Sequence, residues 1–142
     1  MKTKMSAKLS RRELDCVEAV CSLSSNGWPA RVKDVAGRMN VTSPTAVQFL
    51  DKLIETDLVA KGPSGYKLTE RGIEYLNGAT RVHRIFETLL VRNGFPLDDA
   101  CKVSSSLTSA IDDAALEALC AHMSHPDKCP HGRPIPGGAK HV

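Results

Sequence analysis

His83 and Glu87 stand four positions apart in VHRIFETLL, a stretch whose apolar residues recur at helical spacing. On a helix both side chains project over neighbouring turns of one face. The pair can therefore chelate a divalent metal, although the same spacing also suits a plain helix-stabilising pair. Asp15 and Glu18, three apart near the N-terminus, read either as a second pair of ligands or as a solvated face. Near the other end Cys120, His122, His125, Cys129 and His131 gather sulfur and imidazole donors within a dozen positions. Their spacing does not match the paired pattern of a zinc finger, and Cys120 also falls in an apolar stripe with Leu116, Leu119 and Met123. No nucleophile–base pair and no phosphate-cradling loop accompanies these groups, which argues against an enzyme.

The elements that must carry these residues are mainly helical. Ser10 caps a helix reaching about Ser24, with Leu14, Val17, Val20 and Cys21 inward. Asn26-Gly27 ends it, and a second helix covers Val32 to Met39. After a polar break at Asn40 to Ser43, Ser43 is a candidate cap and Pro44 suits the first turn of a third helix. There Val47, Leu50, Leu53 and Ile54 face inward, while Thr45, Gln48 and Lys52 share the outer face. A helix with a packed back and a front of short polar donors is shaped to enter a major groove. Two strand-like runs, Leu58-Val59-Ala60 and Tyr66-Lys67-Leu68, surround Gly62-Pro63-Ser64-Gly65 and form a hairpin. Lys61 and Lys67 flank it and can meet phosphates. Helix, helix, recognition helix and wing is the order of a winged helix-turn-helix domain.

Thr69 caps a long helix to about Arg92, Pro96 to about Ala110 forms the next, and Asp112 or Asp113 caps the last. The apolar arc of the middle one is Leu97, Ala100, Val103, Leu107 and Ile111, with Cys101, Ser105, Thr108 and Ser109 along its edge. The expected fold class is mainly α, with a winged helix-turn-helix DNA-binding domain over residues 1–72 and a helical domain with a Pro/Gly-rich tail over 73–142. At 142 residues and 42% hydrophobic the chain can bury a core, and its net charge of +3 permits nucleic-acid binding without arguing for it. No apolar run reaches membrane-span length and no signal-peptide pattern follows Met1. Five irregularly spaced cysteines then point to a reducing cytoplasm.

Three motifs, RVKDVAGRMNVTSPTAVQFLDKL, GYKLTERG followed by VHRIFETLL, and the closing CPHGRPIP, resemble the metal-dependent repressors of the diphtheria toxin repressor and manganese transport regulator type. The resemblance runs from about Ser10 to Pro136 and is to the short form without a C-terminal SH3-like domain. It implies a homodimeric repressor of metal-homeostasis genes that binds double-stranded operator DNA, with a divalent metal, iron or manganese, as corepressor. The family's DNA-facing positions fall on Thr42, Pro44 and Gln48, with Ser43 and Thr45 beside them.

Carried over in the same way, first-helix metal ligands fall on Asp15 and Glu18, a histidine on His83, a glutamate on Glu87, and an ancillary-site histidine on Cys101. The family's remaining ligands fall on Ser105, Thr108 and Ser109, whose neutral hydroxyls are poor ligands. The expected site is therefore built on His83, Glu87 and Cys101, helped by Asp15 or Glu18. A thiolate there favours iron, zinc or nickel over manganese. Two alternatives remain: a homologue that has lost this control and answers thiol oxidation, and an adaptor that uses its winged domain to bind protein.

Overall fold

The computed structural model describes residues 8–108 and 111–137. Ser109 and the basic positions Lys2 and Lys4 lie outside the described residues. The chain divides into two compact units, Met1–Leu76 and Asn77–Val142.

In the first unit α1 (Arg11–Leu23) starts in a capping box. The Glu13 N–H donates to Ser10 Oγ at 3.2 Å, and the Ser10 N–H donates back to Glu13 Oε2 at 3.1 Å. Its buried face carries Leu14, Cys16, Val17, Ala19 and Val20. Cys21, expected inside, is only half-buried, because the face is centred on Cys16 and Val20. α2 (Val32–Met39) ends at Asn40 in the left-handed region, φ 55°. α3 (Ser43–Glu55) is capped by Thr42 rather than Ser43: Thr42 Oγ1 accepts the Thr45 N–H at 3.4 Å. Ser43 and Pro44 become the first two helical residues, where no intrahelical N–H bond is lost. Ala46, Leu50 and Leu53 form its buried back, with Val47 and Ile54 at the margin.

β1 (Val59–Gly62) and β2 (Gly65–Leu68) pair antiparallel, Val59 opposite Leu68 and Lys61 opposite Tyr66. Ala30 joins the hairpin from its other edge, exchanging two 2.8 Å backbone bonds with Tyr66. Nothing in the local pattern of Trp28-Pro29-Ala30 signals that bridge. Two glycines make the packing possible. A Cβ at Gly65 would lie 2.5 Å from the Ala30 carbonyl oxygen, and one at Gly72 would lie 2.1 Å from that of Leu58. Gly72 opens α4 (Glu70–Arg92) and is there for close approach, not for flexibility.

α4 continues into the second unit, followed by α5 (Leu97–Leu107) and α6 (Asp113–His122). Asp112 Oδ1 accepts the Ala115 N–H at 2.7 Å, which fixes Asp112 as the cap. Val82, Ile85, Leu116, Cys120 and Met123 pack with Cys129 and Ile135 of the closing segment. The arc expected for α5 is rotated. Ala100, Ser104 and Thr108 are buried, whereas Leu97 and Val103 are 37% and 39% exposed.

Gly72→Ala should destabilise the first unit by about 1–3 kcal/mol, the usual cost of forcing a methyl into a packed contact. Urea unfolding measures this, and a midpoint equal to the parent's would show that the close approach of Gly72 to Leu58 is not required.

Candidate metal centre and nucleic-acid interface

Glu87 lies on α4 and is 1% exposed, yet both of its carboxylate oxygens are engaged. Oε2 is 3.1 Å from His83 Nε2, and Oε1 is 2.8 Å from His131 Nδ1. Burial alone would raise the Glu87 carboxyl pKa, but the His131 and His83 rings bonded to it outweigh burial and leave it below the ordinary carboxylate range. A thiol stands close to each imidazole–carboxylate pair. Cys101 Sγ is 3.8 Å from His83 Nε2. Cys129 completes a group with Glu87 and His131 whose ligand atoms all lie within 4.8 Å of one another, as do those of His83, Glu87 and Cys101.

Ser105 explains the orientation of His83. Its hydroxyl donates to the Cys101 carbonyl at 3.0 Å and lies 3.4 Å from His83 Nδ1, which holds the ring with Nε2 facing the Glu87 carboxylate at 3.1 Å. Thr108, by contrast, donates to the Ser104 and Ser105 carbonyls. The Cys101 thiol is raised by burial and then by the neighbouring Glu87 charge, so its thiolate needs a cation beside it. Imidazole, carboxylate and thiol donors held around a buried negative charge fit a divalent transition metal.

His131 and Cys129 were legible only as part of the tail cluster, which does not assemble as one group. Cys120 is in the core with Sγ 3.5 Å from His125 Nδ1. Cys129 and His131 instead sit on a tight loop, closed by the Cys129 N–H to Arg133 carbonyl bond at 2.9 Å and by Gly132 at φ 78°. That loop is tethered to α4 by an Arg84 bond to the Pro134 carbonyl. The spacing of CPHGRPIP hinted at a turn, but only the tertiary fold shows that the turn faces Glu87. Asp15 and Glu18 lie in the first unit on α1, where Arg11 pairs with Asp15 at 3.0 Å and with Glu18 at 3.7 Å.

In the first unit Thr42, Ser43, Pro44 and Gln48 are exposed along the start of α3. The Thr42 hydroxyl is spent on the cap and on Thr45 Oγ1 at 2.9 Å. Lys52 is exposed on the outer face as expected, and its ammonium reaches across to pair with the buried Glu13 carboxylate of α1. That bond, more than any other influence, holds the Glu13 pKa below the ordinary range. Lys61 stands 5.9 Å from the centroid of the Tyr66 ring. Lys67 is opposite Ala60 in the register, so strand alternation sends it to the other face of the hairpin from Lys61.

Residues 69–137 match the model of the iron-dependent repressor metal-binding and dimerisation domain. The chain is 29% identical over 112 residues to the transcriptional regulator MntR of Escherichia coli O157:H7, covering 77% of this chain and 72% of that one. The hypothetical protein SSo2273 from Sulfolobus solfataricus superposes with a TM-score of 0.85 at 28% identity, over 90% of this chain and 99% of that one. ScaR with bound Zn2+ superposes with a TM-score of 0.75 at 26% identity, over 92% of this chain and 61% of the longer ScaR chain. The fold is a winged helix-turn-helix unit followed by a helical unit, and residues 69–137 carry the metal-binding and dimerisation domain of the iron-dependent repressors. The chain as a whole is similar to metal-dependent transcriptional repressors. Its named relatives are transcriptional regulators, not enzymes. Among the described residues no helix is long and apolar enough to cross a membrane.

Two outcomes check this geometry. Ser105→Ala should fold normally but bind a divalent metal about 10–100-fold more weakly, the usual consequence of losing a group that orients a ligand ring; calorimetric titration showing unchanged affinity would remove Ser105 from that role. Glu13→Gln should cost about 1–3 kcal/mol at neutral pH, as expected for breaking a charged bond to a buried group. A lowered folded-state pKa gives stability present above the ordinary glutamate range and lost as pH falls through the lowered value, so the gap between parent and variant should close in acid. A gap independent of pH in urea unfolding would contradict it.

Proposed function

We propose that this chain is a homodimeric, cytoplasmic repressor of metal-homeostasis genes, with a divalent metal as corepressor. The observation that carries this reading is Glu87, a buried carboxylate with an imidazole at each oxygen and a thiol close to each imidazole. His83, Glu87 and Cys101, with His131 and Cys129, would hold the metal. Asp15 and Glu18, paired with Arg11, are reserved as further ligands that would have to leave that arginine. When bound, the ion supplies positive charge that a buried carboxylate and two thiols otherwise lack. The thiolates favour iron, zinc or nickel over manganese. The exposed Phe95, Leu97 and Val103 of the second unit offer apolar surface for the second subunit.

In this reading residues 1–72 bind operator DNA and 73–142 bind metal and dimerise. Gln48 pairs with a base edge, and Pro44 and the Thr42 methyl touch thymine methyls. Ser43 and Thr45 lie beside them, and Lys61 and Lys67 meet phosphates. Lys52 serves α3 chiefly as its anchor to α1 through Glu13.

Binding of the purified protein to DNA from its own promoter, followed by fluorescence anisotropy, should tighten with added iron(II), manganese or zinc and weaken with chelator. Gln48→Ala should cost about 1–3 kcal/mol on cognate DNA and little on unrelated DNA. Equal losses on both would reject base reading by Gln48, and binding indifferent to metal and chelator would reject the corepressor.

A further inference from the structure

The two oxygens of Glu87 serve different donor sets. Oε2 faces His83, whose Nε2 lies 3.8 Å from Cys101 Sγ, and Oε1 faces His131, with the Cys129 thiol within 4.8 Å of the ligand atoms of Glu87 and His131. Each set closes within 4.8 Å only as a triad that includes Glu87, and the two triads do not merge into one group. They also come from different parts of the second unit: His83 is on α4 and Cys101 on α5, whereas Cys129 and His131 belong to the closing loop. We propose that Glu87 is a bridging carboxylate for two divalent cations, one held by His83 and Cys101 and the other by Cys129 and His131.

The charges suit this arrangement. Two dications carry +4, and Glu87 with two thiolates supplies −3, so little net charge is left in a site whose central carboxylate is shut off from water. A carboxylate that bridges two ions holds them about 3.5–4 Å apart, a separation common among two-metal sites. Binding is balanced by release of the two thiol protons and of any second proton on the His rings. Access is adequate, since the side chains of His83 and His131 are 24% and 36% exposed. A shared ligand also makes the ions interdependent. The first ion orients the Glu87 carboxylate for the second, while the two positive charges oppose each other.

This inference rests on the metal-binding reading above, and cobalt(II) separates the two. The chain should take up two cobalt ions, read by elemental analysis after desalting and by near-ultraviolet thiolate charge-transfer absorption. Cys101→Ser and Cys129→Ser should each remove about half of that absorption and leave one ion bound. Glu87→Asp, which keeps the charge but shortens the reach, should still bind cobalt at the two His/Cys pairs while losing the magnetic coupling between the ions seen by electron paramagnetic resonance in the parent. A single ion per chain, with all charge-transfer absorption lost on either cysteine substitution, would overturn the bridge. So would two ions that show no coupling in the parent. Two coupled ions without any effect on promoter binding would leave the bridge standing and overturn the corepressor role instead.

Discussion

A carboxylate removed from water is costly unless its charge is met, and Glu87 is met on both oxygens at once. That single requirement organises the second unit. α4 presents Glu87 one turn beyond His83, α5 brings Ser105 and Cys101 against the ring, and the closing loop folds back so that His131 reaches the other oxygen. The hydrophobic cluster around Ile85 and Leu116 supplies the burial that makes the charge worth satisfying.

The first unit has a corresponding buried carboxylate, Glu13, and meets it differently. One lysine from α3 and the cap of α1 satisfy it, which locks the recognition helix to the first helix. The contrast separates two uses of the same chemistry. A lysine closes the account at Glu13 with an ordinary ion pair, whereas two neutral-capable rings and two thiols around Glu87 leave room for an exchangeable cation. The glycines at 65 and 72 then set how closely the wing and α4 approach the rest of that unit.

Periodicity and caps made the helices and the hairpin legible, since those signals act over three or four residues. Helix α2 is where the apolar spacing put it, and the wing strands differ by one or two residues, with Gly62 and Gly65 inside the strands and not in the turn. The cap of α3 was misplaced by one position because Thr42 and Ser43 are both competent and only backbone geometry chooses between them. Lys52 faces outward as its helical position implied, but its partner thirty-nine residues away on α1 could not be read from that pattern. His83, Glu87 and Cys101 were legible as candidates through the i,i+4 pair and a resemblance. The convergence of His131 and Cys129 on Glu87 was not, because it depends on where a Pro/Gly-rich loop folds and not on any local spacing.

The most direct measurement is the promoter-DNA affinity of the parent and of Glu87→Gln, each with saturating divalent metal and with chelator, once circular dichroism shows both folded. Glutamine keeps the size of the side chain and removes the charge that gathers the donors. The parent should gain at least about tenfold in affinity with metal, about 1.4 kcal/mol, and the variant should bind equally with and without it. A variant that responds to metal as strongly as the parent would contradict the central role given to Glu87.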